Sequence, residues 1–204
     1  MPDSRSRALA AKIRELHGGA TAVLIAIDGL GGSGKSYLAS SFAEEMQTRS
    51  DSPVSVVHGD DFFLPSAQRF FRSVGEKAIG ADFDWRRLRE QVLEPLRRDA
   101  DARYQVYDWD RDTLTTWRTI AHGTIVVVEG VYTLRPELRS FYDLRVWVDC
   151  PRHIRLARGI ARDGEHARAR WEQDWMPSED RYVAECKPAA TADMILDGAA
   201  EESN

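Results

Sequence analysis

Unbroken apolar runs alternate along the chain with stretches in which apolar residues recur every three or four positions. Residues 21–28, 54–58, 124–130 and 144–149 are continuous and aliphatic, the pattern of strands buried on both faces, and Met194, Ile195 and Leu196 add a short last strand. Helical spacing fills the intervals. The first 19 residues read as an amphipathic helix with Leu9, Ile13 and Leu16 inward and a stop at Gly18 and Gly19. Residues 35–48 read as a helix directly after the first strand. From residue 83, Leu88, Val92 and Leu96 mark another, with Arg86, Arg87, Arg89 and Arg97 outward and a bend or break at Pro95. After Pro151, Ile154, Leu156, Ala157, Ile160 and Ala161 fall on one side and Arg152, Arg155, Arg158 and Arg162 on the other, which predicts an inward apolar face and an outward arginine stripe. Pro177 is expected to end the charged, Trp-rich stretch 163–176, with a further helix from Ser178 to about Lys187. Residues 104–107 alternate like a short strand, with a hairpin partner at 117–120, and 136–140 make a helical turn. Polar residues 66–82, which carry Gly75 and Gly80, read as a loop or flap, and 201–204 as a solvated tail. Strands alternating with helices predict a three-layer α/β fold with a mainly parallel sheet.

One junction in this pattern carries chemistry. Between the first strand and its helix stands Gly29-Leu30-Gly31-Gly32-Ser33-Gly34-Lys35-Ser36, the G-x-x-x-x-G-K-S spacing of a phosphate-binding loop. Gly29, Gly31, Gly32, Ser33 and Gly34 let backbone N–H groups turn toward phosphate oxygens, Lys35 reaches the terminal phosphates, and the Ser36 hydroxyl can ligate Mg²⁺. The helix that opens around Tyr37 adds its N-terminal N–H groups and dipole to the same anion. The loop thus implies a nucleoside triphosphate, with Mg²⁺.

Acids at the exits of the other strands extend the site, because ligands of open α/β sheets bind at the carboxyl ends of the strands. Asp60 leaves the second strand and Glu129 ends the third, as in a Walker B strand. Ser36, Glu129 and Asp60 are therefore the candidate metal residues, and Asp60 is also the candidate general base for an attacking hydroxyl. Asp61 points the other way along the chain. Lys35 and Arg162 would stabilise charge on the migrating phosphoryl, with Arg158 near the nucleotide, on an arginine-bearing lid of about residues 159–177 that could close over ATP and exclude water. Phe63, Asp84, Tyr107 and Trp109 are aromatic and acidic groups near strand ends and loops, suited to stacking an acceptor ring and binding its hydroxyls. Asp84 is also placed to cap the helix that follows it.

Composition narrows the class. The 204 residues carry a net charge of −5 and 43% hydrophobic content, enough for one core and one domain, with no basic field for nucleic acid. Positive charge is almost all arginine, the lysines being Lys12, Lys35, Lys77 and Lys187. Cys150 and Cys186 are far apart and form no zinc pattern. No segment reaches the length of a membrane span, and the charged N-terminus lacks a signal-type apolar core, so a cytoplasmic protein is expected. A homo-oligomer stays open.

The motifs G-G-S-G-K-S, D-D-F-F, F-D-W, Y-D-W, V-V-V-E-G-V, R-L-A-R-G-I-A-R-D and C-K-P-A, spread over residues 21–197, resemble the uridine kinase and phosphoribulokinase family of P-loop kinases. The resemblance implies a nucleoside kinase-like fold and ATP-dependent phosphoryl transfer to a hydroxyl of a small molecule. It puts a base at Asp60, metal contacts at Ser36 and Glu129, and lid arginines near Arg162. Residues 58–65 also resemble nicotinamide riboside kinases. Two departures concern substrate and lid: uridine–cytidine kinases carry a histidine near the base where this chain has Asp112, and paired arginines where it has Arg158 and Gly159. A nucleoside is the expected acceptor, with nicotinamide riboside, pantothenate, or a sugar or sugar acid as alternatives. A P-loop ATPase or nucleotide-responsive binding module is the alternative of a different class.

Overall fold

The computed structural model describes residues 4–16, 22–49, 53–69 and 78–200. The expected stop at Gly18 and Gly19, the start of the first strand at residue 21, the middle of the flap (70–77) and the tail 201–204 lie outside them, as does the Leu16 side chain. Five parallel strands form one sheet in the order β2-β5-β1-β6-β7, from Val54–His58, Ile125–Glu129, Val23–Asp28, Leu144–Asp149 and Met194–Asp197. All six residues of β1 are buried at the centre. Its side chains alternate between two layers. Val23, Ile25 and Ile27 pack with Leu9 and Ile13 of α1 (Ser4–Leu16) and Leu38, Phe42 and Met46 of α2 (Lys35–Arg49). Ala22, Leu24 and Ala26 face Leu88, Val92, Leu93 and Leu96 on the opposite side. This is the three-layer α/β arrangement, with each fully buried large side chain worth about 1.5–3 kcal/mol.

The second layer begins where Asp84 Oδ1 accepts the Arg87 N–H and caps α3 (Trp85–Leu88). The chain stays helical through a π segment, Arg89–Leu93, into α4 (Glu94–Arg97), so Pro95 does not break it. The same construction recurs later: α6 (Arg168–Arg170), a π segment Trp171–Trp175, then α7 (Met176–Cys186) with Pro177 in its first turn. Pro177 therefore does not end the helix. In both places the proline falls just after a π segment, where the ladder changes from i+5 to i+4 partners and one carbonyl loses its donor anyway. A separate antiparallel hairpin, β3 (Ala102–Asp108) with β4 (Thr113–Ile120), stands beside the sheet.

The helix after Pro151, α5 (Arg152–Asp163), keeps Arg152 and Arg162 outward as expected but turns Arg155 inward and leaves the apolar side only partly covered. Its buried residues are Arg155 and Gly159, whereas Ile154, Leu156 and Ile160 are half-buried and Ala157 and Ala161 exposed. Two contacts explain the inward turn of Arg155 and Gly159. Arg155 Nη1 meets Glu179 Oε2 at 2.9 Å, and Trp171 presses on Gly159 so closely that a Cβ there would lie 2.5 Å from the indole. An ion pair 24 residues apart and a glycine seat for tryptophan outweigh the local apolar pattern.

Candidate active site

Parallel register brings three strand ends together: both Ile27 of β1 and His58 of β2 align with Glu129 of β5. Just beyond them, the phosphate loop, the turn after β2 and residues 131–132 open onto a cleft of about 440 Å³. Gly31, Gly32 and Lys35 line one end, with Gly59, Asp60 and Phe63 beside them. Trp109 of the hairpin tip, residues 78–83, Tyr132, Arg162 and the stretch from Arg170 to Arg181 complete the walls.

The loop is built for close approach. Gly32 and Gly34 have φ of +77° and +91°, the left-handed region that favours glycine, and a Cβ on Gly32 would lie 2.5 Å from the Arg155 carbonyl oxygen. Ser36 Oγ donates to Glu129 Oε2 at 3.0 Å, and His58 Nδ1 donates to Glu129 Oε1 at 2.7 Å, since an ionised carboxylate can only accept. Burial works to raise the Glu129 carboxyl, but the bonds from His58 and Ser36 and the Lys35 charge outweigh it and hold the group below its ordinary range. His58 is raised in turn, chiefly by that hydrogen bond. Among the described residues no three His, Cys, Asp or Glu side chains cluster as a cage for a metal. Ser36 and Glu129, with Asp60 nearby, fit Mg²⁺, which takes one or two carboxylates and fills its shell with phosphate oxygens and water. Glycines, Lys35 and a helix N-terminus together fit a nucleoside triphosphate.

Asp60 and Asp61, in the 3-10 turn Gly59–Phe62, point apart. Asp60 faces the cleft, where desolvation and, secondarily, Glu129 raise its carboxyl against the pull of Lys35 and Arg162. Asp61 is buried behind it, 3.3 Å from both the Tyr104 hydroxyl and Arg118 Nη1. Arg162 lines the cleft while paired with Asp163 at 2.7 Å. Arg158 approaches the loop from outside the cleft, donating to the carbonyls of Gly198 at 2.7 Å and Gly32 at 3.4 Å. Of the four expected acceptor residues, Phe63 and Trp109 line the cleft, their ring centroids 4.6 Å apart. Tyr107 does not: it is buried behind them, at 5.0 Å from the Trp109 ring, and its hydroxyl donates to Asp112 at 2.6 Å. Asp84 does not either, because its carboxylate caps α3 and lies 3.6 Å from Arg87 Nε. Asp112 also accepts the Ser66 N–H, the Ser66 hydroxyl and Arg69, so it fastens the hairpin tip to the segment after β2.

Pattern reading passed over His58, Glu179, Trp171 and Trp175. His58 had a usable signal, since it ends a strand expected to run parallel to the one ending in Glu129. Glu179 had none in its own neighbourhood.

A profile of the "Phosphoribulokinase / Uridine kinase family" matches residues 24–200. The chain is 26% identical over 148 residues to a uridine kinase of Clostridium novyi, covering 69% of this chain and 68% of that one. Two Arabidopsis thaliana proteins named inorganic pyrophosphatase TTM2 and TTM1 align at 26% and 24%, and the chain spans about a fifth of their length. Among solved structures, a possible uridine kinase from Bacillus stearothermophilus superposes with a TM-score of 0.75 at 25% identity, covering 95% of this chain and 97% of the other. A putative fructose transport system kinase from Silicibacter sp. TM1040 gives 0.78 at 21%, covering 95% and 99%. With a phosphate loop, a strand-end glutamate on the loop serine and a cleft-facing aspartate already in place, the chain belongs to the phosphoribulokinase and uridine kinase family of P-loop kinases.

Proposed function

We propose that this protein is an ATP-dependent kinase that phosphorylates a hydroxyl of a small metabolite, with a nucleoside as the acceptor class. The observation that carries the proposal is that Asp60 shares one cleft with Lys35 of the phosphate loop on one side and the Phe63–Trp109 wall on the other. Gly32 and Lys35 on the cleft wall, with Tyr37 at the head of α2, hold the nucleotide, whereas the Gly29, Gly31 and Ser33 amides are engaged by Asp28, Glu179 and the Leu30 carbonyl; Ser36 and Glu129, with Asp60, hold Mg²⁺. Mg·ATP, when bound, supplies the transferable phosphoryl group. Asp60 orients the acceptor hydroxyl and holds the proton it releases. Lys35 and Arg162 offset negative charge on the migrating group. Flat rings at Phe63 and Trp109 suit a nucleobase stacked so that the ribose reaches Asp60. One domain spans the chain, and residues 159–177, bearing Arg158 at their edge and Arg162 and Arg170 within, act as the lid that excludes water. Relatives named as uridine kinases support phosphoryl transfer more firmly than they support any one acceptor.

The test is ADP release from Mg·ATP with nucleosides, nicotinamide riboside, pantothenate, sugars and sugar acids. One or more nucleosides should raise turnover well above basal hydrolysis, and Asp60→Asn should lower that turnover by about 10²–10⁴-fold. Because Asp60 works as a base only when ionised, kcat/KM should climb with pH as its carboxyl loses its proton, and the climb should vanish in Asp60→Asn. Basal hydrolysis unmoved by every acceptor would replace the kinase with a P-loop ATPase or nucleotide-responsive binding module.

A further inference from the structure

The phosphate loop is anchored by a residue 148 positions away. Glu179 in the first turn of α7 is 4% exposed, and its Oε1 accepts the Gly31 N–H at 2.8 Å. Its other oxygen accepts Arg155 Nη1 at 2.9 Å, and Arg155 is itself 3% exposed. Asp28 makes the matching arrangement two residues earlier in the loop. Its Oδ1 accepts the Gly29 N–H at 2.6 Å, while Oδ2 accepts the Leu134 N–H and the Tyr182 hydroxyl, each at 2.7 Å. Tyr182 and Glu179 are three apart on one helix face. Alternate amides on the incoming limb of the loop are thus held by buried carboxylates, both of which lead to α7. The seat at Gly31 is full: a Cβ there would lie 2.9 Å from Glu179 Oε1 and 2.8 Å from the Trp171 ring.

We infer that Glu179 is a positioning residue for nucleotide binding, acting through the Gly31 amide to set the incoming limb of the phosphate loop so that Gly32 and Lys35 stay on the cleft wall. The inference rests on the reading that this loop takes the donor nucleotide. An anion-binding loop needs its N–H groups sorted in advance, some toward the ligand and the rest satisfied elsewhere. Glu179 does the second task for Gly31. Displacement of Glu179 by a phosphate is disfavoured, because its partner Arg155 would be left as a buried, uncompensated charge. The carboxylate therefore stays while nucleotide comes and goes. Its placement on α7 also ties the loop to the helix that carries the far end of the lid segment.

Mg·ADP binding to the full chain, measured by calorimetry beside thermal unfolding, tests this. Glu179→Ala should weaken Mg·ADP by about tenfold, the size of one buried amide left without its acceptor. Glu179→Gln keeps an oxygen for Gly31 but turns an NH₂ toward Arg155, so it should lower Tm while holding Mg·ADP affinity within about threefold of the parent. A merely structural ion pair would not separate the two readouts. Should Glu179→Ala fail to fold, Glu179→Asp takes its place: a negative charge is kept opposite Arg155, but the shorter side chain draws the carboxylate back from the Gly31 amide, and affinity should again fall about tenfold. Equal affinity losses for Gln and for Ala or Asp, or no loss in any variant, overturn the inference. A parent protein that does not bind Mg·ADP overturns the nucleotide site itself, an outcome distinct from a parent that binds and a set of variants that bind equally well.

Discussion

The two halves of the cleft are held together by different means. On the donor side the critical groups are backbone amides, and buried carboxylates keep them in order: Asp28 on Gly29, Glu179 on Gly31, and Glu129 on the Ser36 hydroxyl. On the side proposed for the acceptor the wall is side chains, Phe63 and Trp109, with Trp109 51% exposed on a hairpin tip. One half-exposed carboxylate, Asp112, secures that wall by gathering Ser66, Arg69 and Tyr107. The carboxylates diverge accordingly. Desolvation pushes Asp28 up to about 6 despite its three donors, whereas hydrogen bonds from Ser66 and Tyr107 pull Asp112 well below the usual carboxylate range. Backbone cradles are insensitive to side-chain change and suit a constant ligand such as ATP. A wall of side chains on a hairpin can change residue by residue, which suits an acceptor that differs among relatives.

That contrast can be broken at several points. The largest effect is expected at Lys35→Ala, which removes a charged donor to the phosphates. Mg·ADP affinity should fall about 10- to 150-fold and nucleotide-induced thermal stabilisation should disappear, while the unliganded Tm stays near that of the parent. Undiminished stabilisation by Mg·ADP would move the nucleotide away from this loop. Next comes Asp28. Its folded value near 6 lies above the unfolded 3.8, so the native state binds the proton more tightly, and stability is full below about 4 and is lost as pH rises toward 6. Unfolding free energy from denaturant titration should drop by about 1–3 kcal/mol across that window and then level off. Asp28→Asn should flatten the slope, and an unaltered slope would assign it to another group. The smallest effect is Trp109→Ala, which should raise the acceptor KM about tenfold, the worth of one aromatic stacking partner, and leave the KM for ATP unchanged. A parallel loss of ATP binding would merge the halves that the geometry separates.

The donor half was readable in the chain because its parts are consecutive or end regular strands. Gly29 to Ser36 is contiguous, and Asp60 and Glu129 close runs whose burial the sequence makes plain. The half proposed for the acceptor draws on segments far apart in the chain, and local pattern says little about which member of an aromatic pair faces inward. Tyr107 and Trp109 are two apart and share a face of an ideal strand, yet a register shift between Gln105 and Tyr107 and the turn after Asp108 send one to the core and the other to the cleft. On α5 the apolar residues outvote the arginines on any helical wheel. The helix nevertheless buries Arg155, because its partner Glu179 and the Trp171 seat on Gly159 belong to a helix whose docking no local pattern encodes. Both prolines misled for one reason: a proline is a breaker in an α-helix, and the π segments before Pro95 and Pro177 change the ladder it would break.

Those π segments have a consequence for insertions and deletions. A five-residue π stretch amounts to one residue inserted into an α-helix, and each such residue turns everything downstream by about 100°. Trp171, at the start of the second stretch, seats on Gly31 and Gly159, and Glu179 and Tyr182 seat on the loop beyond its end. Loss of one residue within 172–175 would leave the tryptophan in place and rotate both loop partners away from their amide and carboxylate. Length variation of a single residue in this stretch of a relative therefore signals a different grip on the nucleotide, even where the loop itself is unchanged.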